Sequence, residues 1–198
     1  MAISINGSTN VISGVAVGGL PDGIVDTDML AAGAVTAAKR GAGAILQTTY
    51  TQYKTQASVT GNAYTDSGLT GNITTSSSSN KVLVRVCMNV AGTDNKYTVS
   101  GRLYRGGSHL TDASGSDNGN RPGTWFTVGM QVWNNYTRYN VFAEYLDSPG
   151  SAATHQYKVY LRDHRDNDII YINRGFYDAN SGSNPVGTSS ITLQEIVA

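Results

Sequence analysis

The sequence predicts an all-β domain, an antiparallel sandwich or barrel, preceded by a segment too poor in large side chains to hold itself together. Three observations predict it. Beyond Tyr50 the apolar residues recur with period two in short runs. Between the runs stand turn-forming clusters of Ser, Thr, Asn and Gly, the last with 23 copies in 198 residues. All 12 tyrosines, 3 phenylalanines and 2 tryptophans fall at or after Tyr50, so the material for a core is concentrated there. The reading divides the chain into an anchoring or connector segment, 1–49, and a β-sandwich domain, 50–198.

The leading segment includes LPDGIVDTDMLAAGAVTAAKRGAG (20–43). Its glycines and alanines bury too little apolar area to offset backbone ordering, so it needs a partner surface. Leu20, Ile24, Val25, Met29, Leu30 and Val35 are the side chains available for that anchoring. Two forms are open. Asp26 or Thr27 can cap a short helix with Lys39 and Arg40 at its C-terminal end and Gly41 closing it. Gly33 costs such a helix about 1 kcal/mol, and the alternative is an extended strap.

The strands follow in order. ILQTTYTQY and LTGNITT come first, then KVLVRVCMNV, which places Val82, Val84, Val86, Met88 and Val90 on one face and Arg85 and Asn89 on the other. YTVSGRLY, TWFTVGMQVW, YNVFAEYL, QYKVYLR, DIIYINR and SITLQEIV repeat the signal. In the last, Ile191, Leu193 and Val197 share a face, which predicts a strand paired inside a sheet. Cys87, one cysteine in an apolar run, reads as a buried structural thiol with no disulfide partner in the chain.

Composition and motifs exclude several functions. Lys and Arg total 14 and so do Asp and Glu, a balance unlike that of a phosphate-tracking nucleic-acid binder. No stretch reaches the length of a membrane-inserted helix, and the N-terminus lacks the pattern of a secretory signal. Cofactor loops, a nucleophile elbow and zinc-ligand spacing are absent, so neither cofactor nor metal is expected. His109, His155 and His164 read as surface residues. Asp163, Asp166 and Asp168 lack calcium-loop spacing and are offset by Arg162 and Arg165. No enzyme is predicted. For binding, WNNYTRYN offers Trp133, Tyr136 and Tyr139 beside Asn134, Asn135 and Arg138, a set suited to stacking on and hydrogen bonding to sugar rings. The plainer reading is a turn flanked by sheet aromatics. GSDNGNRPG (115–123) is a second open loop.

Three stretches carry a family resemblance. GIVDTDMLAAGAVTAAKRG resembles the Ala/Thr-rich connectors ahead of phage fibre tips; GLTGNITTSSSSNKVLVRVCMNV resembles the entry into their terminal β-domains; AEYLDSPGSAATHQYKVYL and SSITLQEIVA resemble the closing strands. The chain is thus similar to phage tail-fibre or appendage virion proteins, as in phages of cyanobacteria. CMNVAGTDNKYTVS and RPGTWFTVGMQVWNN depart from that pattern, so no binding residue carries over. The resemblance implies a jelly-roll-like (TNF-like) sandwich, a homotrimer, and a place in the virion after synthesis in the host cytoplasm. It also implies contact with other virion proteins through residues 1–49 and with a host-surface glycan through the knob. A capsid decoration or head-fibre protein is the alternative, and a free carbohydrate-binding module the third.

Overall fold

The computed structural model describes residues 4–6, 8, 11–13, 35, 39–93, 97–130, 137–164 and 168–198. It contains two compact units, Met1–Arg40 and Gly41–Ala198. In the first, β1 (Ser4–Asn6) pairs antiparallel with β2 (Val11–Ser13). Val35 is exposed. Leu20, Ile24, Val25, Met29 and Leu30, and with them the choice between helix and strap, lie outside the described residues.

The second unit contains β3 (Ile45–Tyr53), β4 (Ala57–Thr60), β5 (Thr65–Thr74), β6 (Lys81–Ala91), β7 (Tyr97–Arg105) and β8 (Ser108–His109). After a 3-10 turn at Thr111–Ala113 come β9 (Phe126–Met130), β10 (Tyr139–Asp147), β11 (Thr154–Asp163), β12 (Ile169–Ile172) and β13 (Ser189–Ile196). No α-helix occurs among the described residues. The principal strands order β3-β13-β6-β10 in one sheet and β5-β11-β7-β9 in the other, all antiparallel. Most chain neighbours among the principal strands alternate between layers, β7 and β9 pair within one, and β13 returns beside β3. That strand order is a jelly roll, the form of sandwich that the resemblance implies.

The inner faces follow the period-two pattern. Val82, Val84, Val86, Met88 and Val90 of β6 are buried with Ile191 and Leu193 of β13, against Val99 and Leu103 of β7 and Val159 and Leu161 of β11. Burial of each such side chain stabilises by about 1.5–3 kcal/mol. The layers approach closely where β5 crosses β13: a Cβ on Gly71 would lie 3.0 Å from Ile191 and 3.1 Å from Leu193. Two sequence expectations change here. Cys87 shares its face with Arg85 and Asn89, half-buried opposite Phe142 and Ser190, because odd positions of β6 point outward. His155 is buried, its Nε2 within 3.1 Å of Thr75 Oγ1, since β11 turns odd positions inward.

Three polar side chains on or beside the inner faces, Asp147, Asn173 and Glu195, are matched by hydrogen bonds. Asp147, beside the core, accepts hydrogen bonds from Arg105 and, at 2.7 Å, from Tyr157 Oη. Burial and that carboxylate push the Tyr157 phenol far up, while burial opposes the Arg105 charge and Asp147 more than compensates. Asn173 supports a break common to two strands. β12 and β13 run in one direction along β6, separated by the excursion 174–188. Asn173 turns the chain out at φ 62°, a conformation that asparagine tolerates better than most residues. Its amide donates to Asn89 O at 2.9 Å and its Nδ2 to Tyr53 O and Thr55 O, both at 2.9 Å. Ser189 Oγ donates to Asn173 Oδ1 at 2.7 Å, where β13 resumes. The same side chain thus spans the β3–β4 break and the β12–β13 break.

Glu195 stands at an inward position of β13, only 1 % exposed. Gln47 Nε2 donates to it at 2.6 Å, the Ser76 amide at 2.6 Å, Ser76 Oγ at 2.8 Å and Asn80 Nδ2 at 2.7 Å. Burial raises the carboxyl's pKa, but the donations from Asn80, Gln47 and Ser76 outweigh it and hold the group down at about 2. The serine-rich stretch after β5 is therefore a carboxylate clamp as well as a turn.

Two outcomes follow from these contacts. Asn173→Ala destabilises the domain by about 3 kcal/mol in urea unfolding, through lost hydrogen bonds and a strained backbone, and Asn173→Gly by less because glycine keeps the backbone angle. Because the Glu195 pKa is lowered on folding, its contribution is complete above the ordinary value of 4.5 and is lost as pH falls toward about 2. Glu195→Gln is less stable at pH 7 by about 2 kcal/mol and has a flatter acid limb, measured as Tm against pH.

Candidate functional site

A cavity is built on the outer face of β7. Gly106 and Gly107, at φ 56° and 85°, form the tight turn between β7 and β8, the positive angles a primed hairpin needs. The turn sets His109 opposite Tyr104, with their rings 5.5 Å apart. Tyr104 in turn stacks on Tyr160 of β11 at 3.8 Å. The 3-10 turn Thr111–Ala113 then carries the chain away from the sheet, and the segment 114–125 returns it to β9.

That segment is pinned along its length. The Gly115 amide donates to Thr124 O at 3.1 Å, and Asn118 and Arg121 exchange backbone bonds of 2.9 and 3.0 Å. Arg102 donates from Nε and Nη2 to Gly123 O at 3.0 and 2.9 Å, and its guanidinium lies 4.2 Å from the centre of the Tyr64 ring. The Gly123 amide donates to Asp117 Oδ1 at 2.5 Å. Only glycine fits at 123, since a Cβ there would stand 1.7 Å from Gly115 O. Between loop and sheet lies a cavity of about 620 Å³, lined by Arg102 and His109 from the sheet side and by Thr111, Asp112, Ser114, Ser116 and Asp117 from the loop. His109 Nε2 lies 3.0 Å from Ser114 Oγ, and burial together with the Arg102 charge lowers its pKa, which keeps the imidazole neutral at pH 7. The lining is polar and concave, and the hydrogen bonds of Gly115, Asp117 and Arg102 hold the loop over it.

Of the residues singled out from sequence, GSDNGNRPG (115–123) is the loop that builds this cavity. Trp133, Asn134, Asn135 and Tyr136 lie outside the described residues. Arg138 donates to Pro185 O, and Tyr139 begins β10 and packs against the core. Arg102, His109 and Asp112 were not legible as site residues, because each sits in an ordinary strand or turn context. The pair Gly106–Gly107 was the usable cue, since it folds two of them onto one face. A Ser–His pair also forms: Ser100 Oγ meets His164 Nε2, with Tyr64 Oη 3.1 Å from the same hydroxyl. Ser100 is 0 % exposed, so no substrate carbonyl could reach it, and the contact ties β7 to the end of β11. Among the described residues no three His, Cys, Asp or Glu side chains are grouped to hold a metal ion, and Asp166 lies outside them.

No protein-family model matches the sequence, and no curated protein matches it. Among solved structures, the chain is similar to that of the infectious bursal disease virus Gt strain, with 8% identity and a TM-score of 0.40, over 78% of this chain and 39% of that one. It is also similar to the D431N mutant VP2 protein of infectious bursal disease virus in derived T=1 particles, with 8% identity and a TM-score of 0.37, over 78% of this chain and 37% of that one. The chain therefore spans well under half of the length of these two structures. Neither likeness bears on function; the jelly roll is established by the chain's own strand pairing.

The pinning by Arg102 has a measurable consequence. Arg102→Ala removes two charge-assisted hydrogen bonds to Gly123 O, worth about 1–3 kcal/mol locally, and Arg102→Lys restores little because a lysine cannot reproduce the fork. Hydrogen exchange of the amides of Gly115 and Gly123 accelerates about tenfold or more in both variants, while the amides of β6 and β13 keep their protection.

Proposed function

We propose that this chain is a non-enzymatic structural protein of a phage virion, a tail-fibre or appendage subunit. In this reading it is a homotrimer, anchored to other virion proteins through residues 1–49, with its jelly roll presented to the host surface. One observation carries the proposal. The outer face of the β3-β13-β6-β10 sheet leaves Phe142 74% exposed, Tyr50 61% exposed and Leu146 43% exposed. Cys87 pairs with Phe142 and Leu83 with Leu146 on that face, the Arg85–Glu144 ion pair lies between the two pairs, and Ser190, Thr192 and Gln194 of β13 separate them from Tyr50. The inner face of that sheet is already filled, so these side chains are not spare core. Large apolar side chains left this exposed on one sheet face, set among polar and charged neighbours, fit a surface covered by another subunit.

The leading segment supports the same reading. It has no aromatic residue and few large aliphatic ones, and it precedes a domain whose core is complete within 41–198. Tethering copies raises their effective concentration, so a marginal segment becomes ordered in an assembly, and weak sites on repeated knobs gain avidity. A reading without catalysis is supported by the burial of Ser100 beside His164. The exposed sheet face fits a subunit packed on a capsid equally well, so the decoration-protein reading stands second. Imaging the protein on intact particles separates tail from shell.

The test is oligomeric state together with adsorption. Sedimentation of the full chain gives a trimer, and the 41–198 fragment dissociates more readily. That fragment keeps β3 whole, whereas a cut at residue 50 would divide it. Phe142→Asp weakens the trimer about tenfold or more while leaving Tm nearly unchanged, because the side chain lies outside the core. The trimer also blocks infection of host cells when added ahead of virus. A monomeric full chain that neither adsorbs to cells nor assembles on particles would remove the proposal.

A further inference from the structure

We infer that the cavity under the Thr111–Asp117 turn and loop binds neutral saccharide, hexose or N-acetylhexosamine units of a surface glycan. That such a glycan belongs to a host cell rests on the host-contact reading above; the chemistry of the cavity does not.

The lining selects the class. Asp112 accepts no hydrogen bond among the described residues, and Asp117 uses Oδ1 for the Gly123 amide, which leaves carboxylate oxygens to face the cavity. Ser116 and Thr111 add hydroxyls at the same wall. An acceptor-rich wall of this kind matches the adjacent hydroxyl donors of a sugar ring, and hydrogen bonds to a charged acceptor are the strong ones. Arg102, the cation of the site, is committed to Gly123 O and to the face of Tyr64. Two carboxylates against one engaged guanidinium disfavour sialylated or uronate sugars, phosphates and nucleic acid. The lining contains no aliphatic side chain, so an apolar peptide residue would gain nothing there.

The surroundings supply what the lining lacks. The rings of His109, Tyr104 and Tyr160 adjoin one another along the sheet face, with centroid spacings of 5.5 and 3.8 Å, and begin at the cavity wall. Flat rings beside carboxylates and hydroxyls suit the apolar C–H face of a pyranose. A cavity of about 620 Å³ lies within the usual range for small ligands. The loop is fixed by Gly123, Asp117 and Arg102 before binding, so little ordering remains to oppose it.

The experiment applies full-length protein to an array of neutral hexose and N-acetylhexosamine oligosaccharides beside sialylated and uronate-bearing ones. The best neutral binder is then titrated against wild type and Asp112→Ala. Asp112 is exposed in a 3-10 turn, so its variant is expected to keep the wild-type Tm. The result expected is binding of neutral glycans alone, an affinity at least about tenfold lower in Asp112→Ala, and wild-type chemical-shift changes confined to the amides of 109–123. Silence across the array, preference for acidic glycans, or neutral binding unaffected by Asp112→Ala with shifts elsewhere would each overturn the inference. Host adsorption without saccharide binding would sink the cavity assignment and leave the host-contact reading in place; saccharide binding without adsorption would do the reverse.

Discussion

Strand β13 enters its sheet between β3 and β6 with a carboxylate, Glu195, on its buried face. That carboxylate is tolerated only because Gln47, Ser76 and Asn80 donate to it. An unmatched charge at that depth would cost several kcal/mol. The donors come from β3, on one side of β13, and from the crossing between β5 and β6, which links the two layers. One side chain therefore reports whether three distant parts of the chain have met. Pairing of residues near 47 with residues near 195 is a contact of long sequence separation, which carries a large loop-closure cost.

Asn173 acts at the opposite end of the same strand pair. It lets β12 and β13 lie in line along β6 while the chain between them leaves the sheet, and it holds the matching break between β3 and β4. Two polar anchors, one near each end of β13, thus brace a core that is mostly aliphatic. Apolar packing of that kind is strong but weakly directional, and buried polar contacts with few alternative partners set the register. The rigidity is what the outer faces use. Arg102 projects from the outer face of β7 because Leu103 beside it is buried on the inner face, the turn to β8 sets His109 on the same side, and bonds to the loop above them enclose a cavity.

Much of this frame was legible in the sequence, and the reasons differ by element. β5, β6, β10, β11 and β13 appear as alternating runs because one face of each is more buried than the other, which is the condition under which period two survives, whereas β12 shows as a short apolar run because both of its faces are covered. β4, with four residues, and β8, with two, are too short to show a period. Cys87 was misplaced because apolar character was taken before parity; its odd position in β6 sends it outward with Arg85. Glu195 was the reverse case, a charged residue at an inward position of an otherwise apolar face, and that conflict was itself the sign of a clamp. The cavity was half legible. GSDNGNRPG stood out as a loop, but the residues that meet it, Arg102 and His109, come together through the Gly106–Gly107 turn and carry no motif of their own.

The account makes β13 the strand on which closure of the jelly roll depends, and native-state hydrogen exchange measures that directly. The amides of Ile191, Leu193 and Glu195 are predicted to exchange only through global unfolding, with the same opening free energy and denaturant dependence as the amides of Val84 and Val86 in β6. If the β13 amides instead open at clearly lower free energy, with little dependence on denaturant, while β6 stays protected, the strand is a late addition to a domain that closes without it, and the central claim fails.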